Sequence, residues 1–120
     1  MDVNQKRKAL YSLAPNPLVI MIEHREGKEA RLKELNMHLS LAYRYWQKGK
    51  PHLVGSELVT ASNVLSAMTD YILEREKIDL VKGHIATAKS AVQSNDGDLV
   101  AGELSRALAV SEKMLRLMKR

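Results

Sequence analysis

At 120 residues and 13.5 kDa the chain is sized for one domain, and its 45% hydrophobic and 28% charged residues, with a net charge of +5, make a globular mix rather than a disordered tail or fibre. The absence of cysteine excludes disulfide frameworks, thiolate zinc sites and cysteine nucleophiles. The longest apolar run, Leu18–Ile22, has five residues where a membrane span needs about twenty, and no long apolar stretch follows Lys6-Arg7-Lys8, so no membrane role and a cytoplasmic location are expected.

Taken in chain order, residues 1–15 read as an N-terminal arm or short helix that stops at Ala14-Pro15-Asn16-Pro17. Asn16 can cap, and Pro17 can occupy the first position of an additional N-terminal helix over 17–26, packed on the rest, with a helix that runs through Gly27 into the first hairpin as the alternative. Residues 16–120 read as a single helical domain. Four apolar stripes then step by three and four, as one buried face of a helix does: Leu32 to Trp46, Val54 to Ile72, Ile78 to Val92 and Val100 to Met118. Gly49-Lys50-Pro51 and Ser94-Asn95-Asp96-Gly97-Asp98 are the turns between them, with Asp98 as a candidate cap. Residues 70–80 hold neither Gly nor Pro. A tight turn near Glu74–Asp79 is favoured there over a continuous helix that swaps hairpins between two chains.

Residues 38–68 align without gaps on 84–114, with ten identities in 31 positions. About two would arise by chance at average composition. The repeating unit reads as a helix-turn-helix hairpin, 28–74 and then 77–118. The expected fold is therefore all-α: a duplicated hairpin forming a four-helix bundle with the additional N-terminal helix.

Little in the chain points to catalysis. The repeated His38, Glu57, His84 and Glu103 have ligand chemistry. With the first turn centred on Lys50, however, His38 and Glu57 differ in height by about 7–8 Å, too much to share an ion. Neither a metal nor a cofactor is expected. Both glutamates are assigned to the first turns of their helices, where the dipole favours them. Neighbours in Glu23-His24-Arg25-Glu26 diverge on a helix, and no phosphate loop, Ser/His/Asp order or HExxH occurs, so the chain is expected not to be an enzyme. The C-terminal Lys113–Arg120 segment reads as a continuation of the core stripe whose cations complement the helix dipole.

The segment Tyr43–His52 stands apart. It holds three of the five Tyr and Trp residues, several bases and no acid, whereas its duplicate at 89–98 is small, polar and partly acidic. The hairpin does not need aromatics or bases at this tip. Trp46 matches Val92 on the apolar stripe and is assigned to the core, which leaves Tyr43, Arg44, Tyr45, Lys48, Lys50 and His52 as candidates for binding a partner or nucleic acid. The function expected from these residues is that of a non-enzymatic interaction protein, an adaptor, chaperone or assembly subunit that self-associates and binds a partner protein. The alternative is a sequence-nonspecific nucleic-acid-binding accessory protein that grips phosphates through the same tip.

Overall fold

A computed structural model of the protein describes residues 17–118, with side chains described from Arg25 onward. The arm over 1–15 and the Lys6–Lys8 cluster lie outside the described residues. Four α-helices account for most of the described chain: α1 (Pro17–Gln47), α2 (Pro51–Ser66), α3 (Arg75–Gln93) and α4 (Gly97–Met118). A short 3-10 turn, Ile72–Glu74, precedes α3, and no strand occurs among the described residues. Each helix packs on two others, in the cyclic order α1–α2–α3–α4–α1.

The buried faces are the stripes read from the sequence. Leu32, Leu35 and Leu39 of α1 meet Val54 and Leu58 of α2, Val81 and Ile85 of α3, and Val100 and Leu104 of α4 in one core. Burying each such side chain contributes roughly 1.5–3 kcal/mol, and this packing of apolar faces, more than helix propensity, stabilises the four helices. Small residues recur at the same depth: Ala42, Ala61, Ala88 and Ala107 are all inaccessible to solvent. Among the described residues no buried side-chain polar atom lacks a hydrogen-bond partner. The Ser111 hydroxyl, wholly buried, donates to the Leu108 carbonyl and accepts from Asn36 Nδ2 at 3.1 Å, which ties α1 to α4.

Of the two readings of residues 17–26, the structure has the continuous one: Pro17 starts α1, which runs unbroken through Gly27 to Gln47. The structure departs from the sequence reading in three places. The link between α2 and α3 is a turn, but it lies earlier than Glu74–Asp79: α2 ends at Ser66, and Asp79 sits inside α3. The reason is Tyr71. Its buried ring anchors the link, and burial pushes its phenol above its ordinary pKa while Arg31 opposes the rise. Ile72, read as the end of the second stripe, is turned outward and 76% exposed. Finally, the cap of α4 is Asp96 rather than Asp98, because Asp96 Oδ1 accepts the Leu99 N–H at 3.3 Å and Asp98 already lies in the first turn.

Candidate functional site

The tip joining α1 to α2 is built by a specific helix ending. The Gly49 N–H donates to the Trp46 carbonyl at 3.1 Å and the Lys50 N–H to the Tyr45 carbonyl at 2.9 Å. This pair of bonds closes a Schellman motif, in which the residue after the C-cap turns left-handed. Gly49 does so, with φ of 71°. Pro51 then begins α2, where its missing N–H leaves nothing unsatisfied. The tip joining α3 to α4 closes in the same way, with Asn95 donating to Val92, Asp96 donating to Ala91, and Asn95 at φ of 56°. Replacing Gly49 by alanine forces a Cβ into the left-handed region and is expected to lower stability by about 1–2 kcal/mol in thermal or urea unfolding.

This framework sorts the six candidate residues into two groups. Arg44, Lys48, Lys50 and His52 are exposed, and among the described residues none of them forms an ion pair. Tyr43 and Tyr45 are half-buried and pack against the core, as does Trp46. The two tyrosines are therefore only partly open to solvent, and the exposed candidates at the tip are the basic ones. Trp46, assigned to the core from sequence, is itself only part-buried, because at its position α1 is about to end.

Trp46 also brings the two tips together. Its Cζ2 lies 3.5 Å from the point a Cβ would occupy on Gly97, the first residue of α4. Asp96 and Asp98, both exposed, flank that glycine. One end of the molecule thus presents Arg44, Lys48 and Lys50 beside a second tip carrying two carboxylates. Sequence alone shows the contrast between the tips but not that they share a surface.

The repeated His and Glu residues require a correction. His38 Nδ1 lies 2.6 Å from Glu57 Oε2 and His84 Nδ1 lies 2.5 Å from Glu103 Oε2. They are not too far apart to meet, because the turn of three residues is centred on Gly49 rather than Lys50. The offset becomes three residues, about 4.5 Å of rise, which the two side chains span. Nor are the glutamates in first turns: each is the seventh residue of its helix. Each carboxylate accepts an N–H from its histidine, bracing α1 to α2 and α3 to α4. Their common separation of 19 residues was the signal available in the sequence. Among the described residues no three His, Asp or Glu side chains converge where an ion could be held.

The second brace carries a third member. Arg106 Nη1 donates to Glu103 Oε1 at 2.9 Å, where the first hairpin has Thr60. Glu103 is 8% exposed, and the His84 hydrogen bond, helped by the charge of Arg106, holds its carboxyl below the usual range against an opposing effect of burial. A carboxyl depressed in the folded state stabilises the fold above its unfolded pKa and loses that contribution as pH falls through the folded value. Glu103→Gln is accordingly expected to flatten the acid side of a stability-versus-pH curve measured by urea unfolding, with the gap to wild type closing below the ordinary glutamate range.

No helix among the described residues is long and apolar enough to cross a membrane. Comparison with protein-family models, with curated proteins and with solved structures finds no match.

Proposed function

We propose that the protein is a non-enzymatic interaction domain, a duplicated helical hairpin closed into a four-helix bundle, which self-associates and uses its Tyr43–His52 tip to bind a partner protein. The two equivalent Schellman turns and the two equivalent His–Glu braces support the duplication. The observation that carries the binding reading is the contact of Trp46 with Gly97, which sets a cationic tip beside an acidic one.

A surface of mixed sign fits a folded protein with the opposite pattern. A polyanion laid across the same end would meet Asp96 and Asp98 as well as the bases, and repulsion from them would offset part of its attraction. The tyrosines are already anchored against the core, so little side-chain entropy remains to be lost when a partner docks. Arg and Tyr are also the residue types that most often dominate interfaces.

The test has two arms. In the first, mixed-sequence single- and double-stranded oligonucleotides are titrated across a salt series. The proposal expects weak binding even at low salt, while tight binding that falls steeply with salt would establish the nucleic-acid reading instead. In the second, proteins cross-linked to wild type in cells are compared with those cross-linked to Tyr43→Ala with Arg44→Ala. The proposal expects the variant to fold normally and to lose a specific partner, with affinity weakened by at least about 1 kcal/mol.

A further inference from the structure

The second hairpin is open at the end away from its turn, where α3 starts and α4 finishes. Two adjoining hollows lie there, of about 410 and 270 Å³, with Lys77 in the wall of both. Leu73, Met114 and Leu117 give the first its apolar surface, and Leu80 and Val110 give the second. Seven large apolar side chains are exposed among the described residues, and three of them, Leu73, Leu80 and Leu117, line these hollows. Exposed apolar side chains gathered in this way mark an interaction surface.

Packing of the hairpin does not require them. The offset that carries His38 onto His84 carries Gly27, Glu34 and Tyr71 onto Leu73, Leu80 and Leu117. Gly27 and Glu34 put no apolar side chain on the surface, and Tyr71 is buried. The first hairpin therefore forms without an open apolar strip at these positions.

The strip has the form of a groove that takes a helix. Leu73 and Leu80 lie seven positions apart with Lys77 between them, and Val110 and Leu117 lie seven positions apart with Lys113 between them. Each row covers about 10 Å, or two turns, along one side of the groove. An amphipathic helix laid in it can set apolar side chains at i, i+3, i+4 and i+7 against the leucines. The sign of the charge around the apolar strip selects the flanks of that helix. Both hollows together hold Arg25, Lys28, Lys77 and Lys113 against Glu74 and Glu76. Glu74 is taken by Lys28, and Arg25 donates to the Met118 carbonyl. Lys77 and Lys113 form no ion pair among the described residues.

We infer that this groove docks an amphipathic helix of a partner protein whose apolar stripe is flanked by Asp or Glu. The stripe lies between the leucines of α3 and α4, and the carboxylates meet Lys77 and Lys113. Leucine and valine offer a nucleobase no face to stack on, so the apolar half of the groove favours a protein helix over a nucleic acid. The surface goes beyond the Tyr43–His52 tip and does not depend on it.

The probe is a display library of amphipathic helices of about fourteen residues, or four turns, with a fixed leucine stripe and flanks drawn from Glu, Gln and Lys. Selection on the full chain is expected to enrich Glu at the flanks. The enriched peptide, titrated by fluorescence anisotropy, is expected to bind at least about tenfold more weakly to Leu73→Gln with Leu80→Gln and to Lys77→Glu with Lys113→Glu. Both leucines and Lys113 are exposed and Lys77 is partly so, so both variants are expected to keep their helical circular dichroism. Tyr43→Ala with Arg44→Ala is expected to bind the peptide as wild type does, which separates failure of the groove from failure of the tip. The same peptide with Lys in place of Glu is expected to prefer the Lys77→Glu, Lys113→Glu variant to wild type, a gain that loss of folding cannot produce. Enrichment of Lys, no enrichment, or equal binding by wild type and both groove variants would overturn the proposal. So would a wild-type dimer in sedimentation that dissociates in Leu73→Gln with Leu80→Gln, which would give the groove to a second copy. Tight oligonucleotide binding that disappears in Lys77→Glu with Lys113→Glu would likewise give it to nucleic acid.

Discussion

Leu104→Ala is expected to lower the free energy of unfolding by roughly 2–5 kcal/mol, measured by urea denaturation, and Leu58→Ala by a similar amount. Both side chains are wholly inaccessible to solvent, and each is the eighth residue of its helix. Each truncation removes three carbons from a packed core and leaves a cavity that neighbouring helices fill only in part. A domain of this size has a total stability of roughly 5–15 kcal/mol, so either change removes a large share of it. The near-equality of the two effects is the informative part. If the chain is two copies of one hairpin, equivalent leucines lie in equivalent surroundings. A difference beyond about 2 kcal/mol would mean that the halves have diverged in packing more than the shared stripes imply.

Trp46→Ala is expected to cost about 2–3 kcal/mol, less than the loss for a fully buried tryptophan, because the ring is only part-buried. What it loses is specific: the indole packs on the core and covers Gly97 at the start of α4. With the ring gone, the two tips lose the contact that joins them, so opening at this end is expected to become easier than at the rest of the molecule. Hydrogen exchange is the sensitive measurement. Amides at the start of α4, around Leu99 and Val100, are expected to lose protection in the variant before those of α3, whereas a uniform loss over all four helices would show that Trp46 acts on the core as a whole.

The helices and their buried faces were legible because helical periodicity is a local property. Leu32, Leu35 and Leu39 announce the buried side of α1 whatever they meet. The link around Tyr71 was not legible for the converse reason. Ile72 continues the spacing of α2, and only the competition between two apolar neighbours for one site decides that Tyr71 goes in and Ile72 out. The His–Glu braces were misjudged by one residue in the centre of a turn, an error that changes the height offset by two residues, or about 3 Å, and so decides whether a hydrogen bond forms. At the tip, residue types were readable but exposure was not. Tyr43 and Tyr45 fall off the main stripe, yet the core reaches far enough around α1 to hold both. The meeting of Trp46 with Gly97 joins residues 51 positions apart and belongs to the packing of α1 on α4, which periodicity does not specify.

The most direct test is to graft residues 89–98 onto 43–52 while keeping Trp46, and to measure binding of the partner identified with wild type. Both tips close with the same pair of backbone bonds, Gly49 giving way to Asn95 in the same left-handed position, so the chimera is expected to fold. Retaining Trp46 keeps the contact with Gly97. The graft removes Tyr43, Arg44, Tyr45, Lys48, Lys50 and His52 together and places carboxylates where Lys50 and His52 stood. The account predicts a helical, folded chimera whose affinity for the partner falls by at least about tenfold, or 1.4 kcal/mol. A chimera that folds and binds the partner as tightly as the parent would show that the tip is not the binding surface.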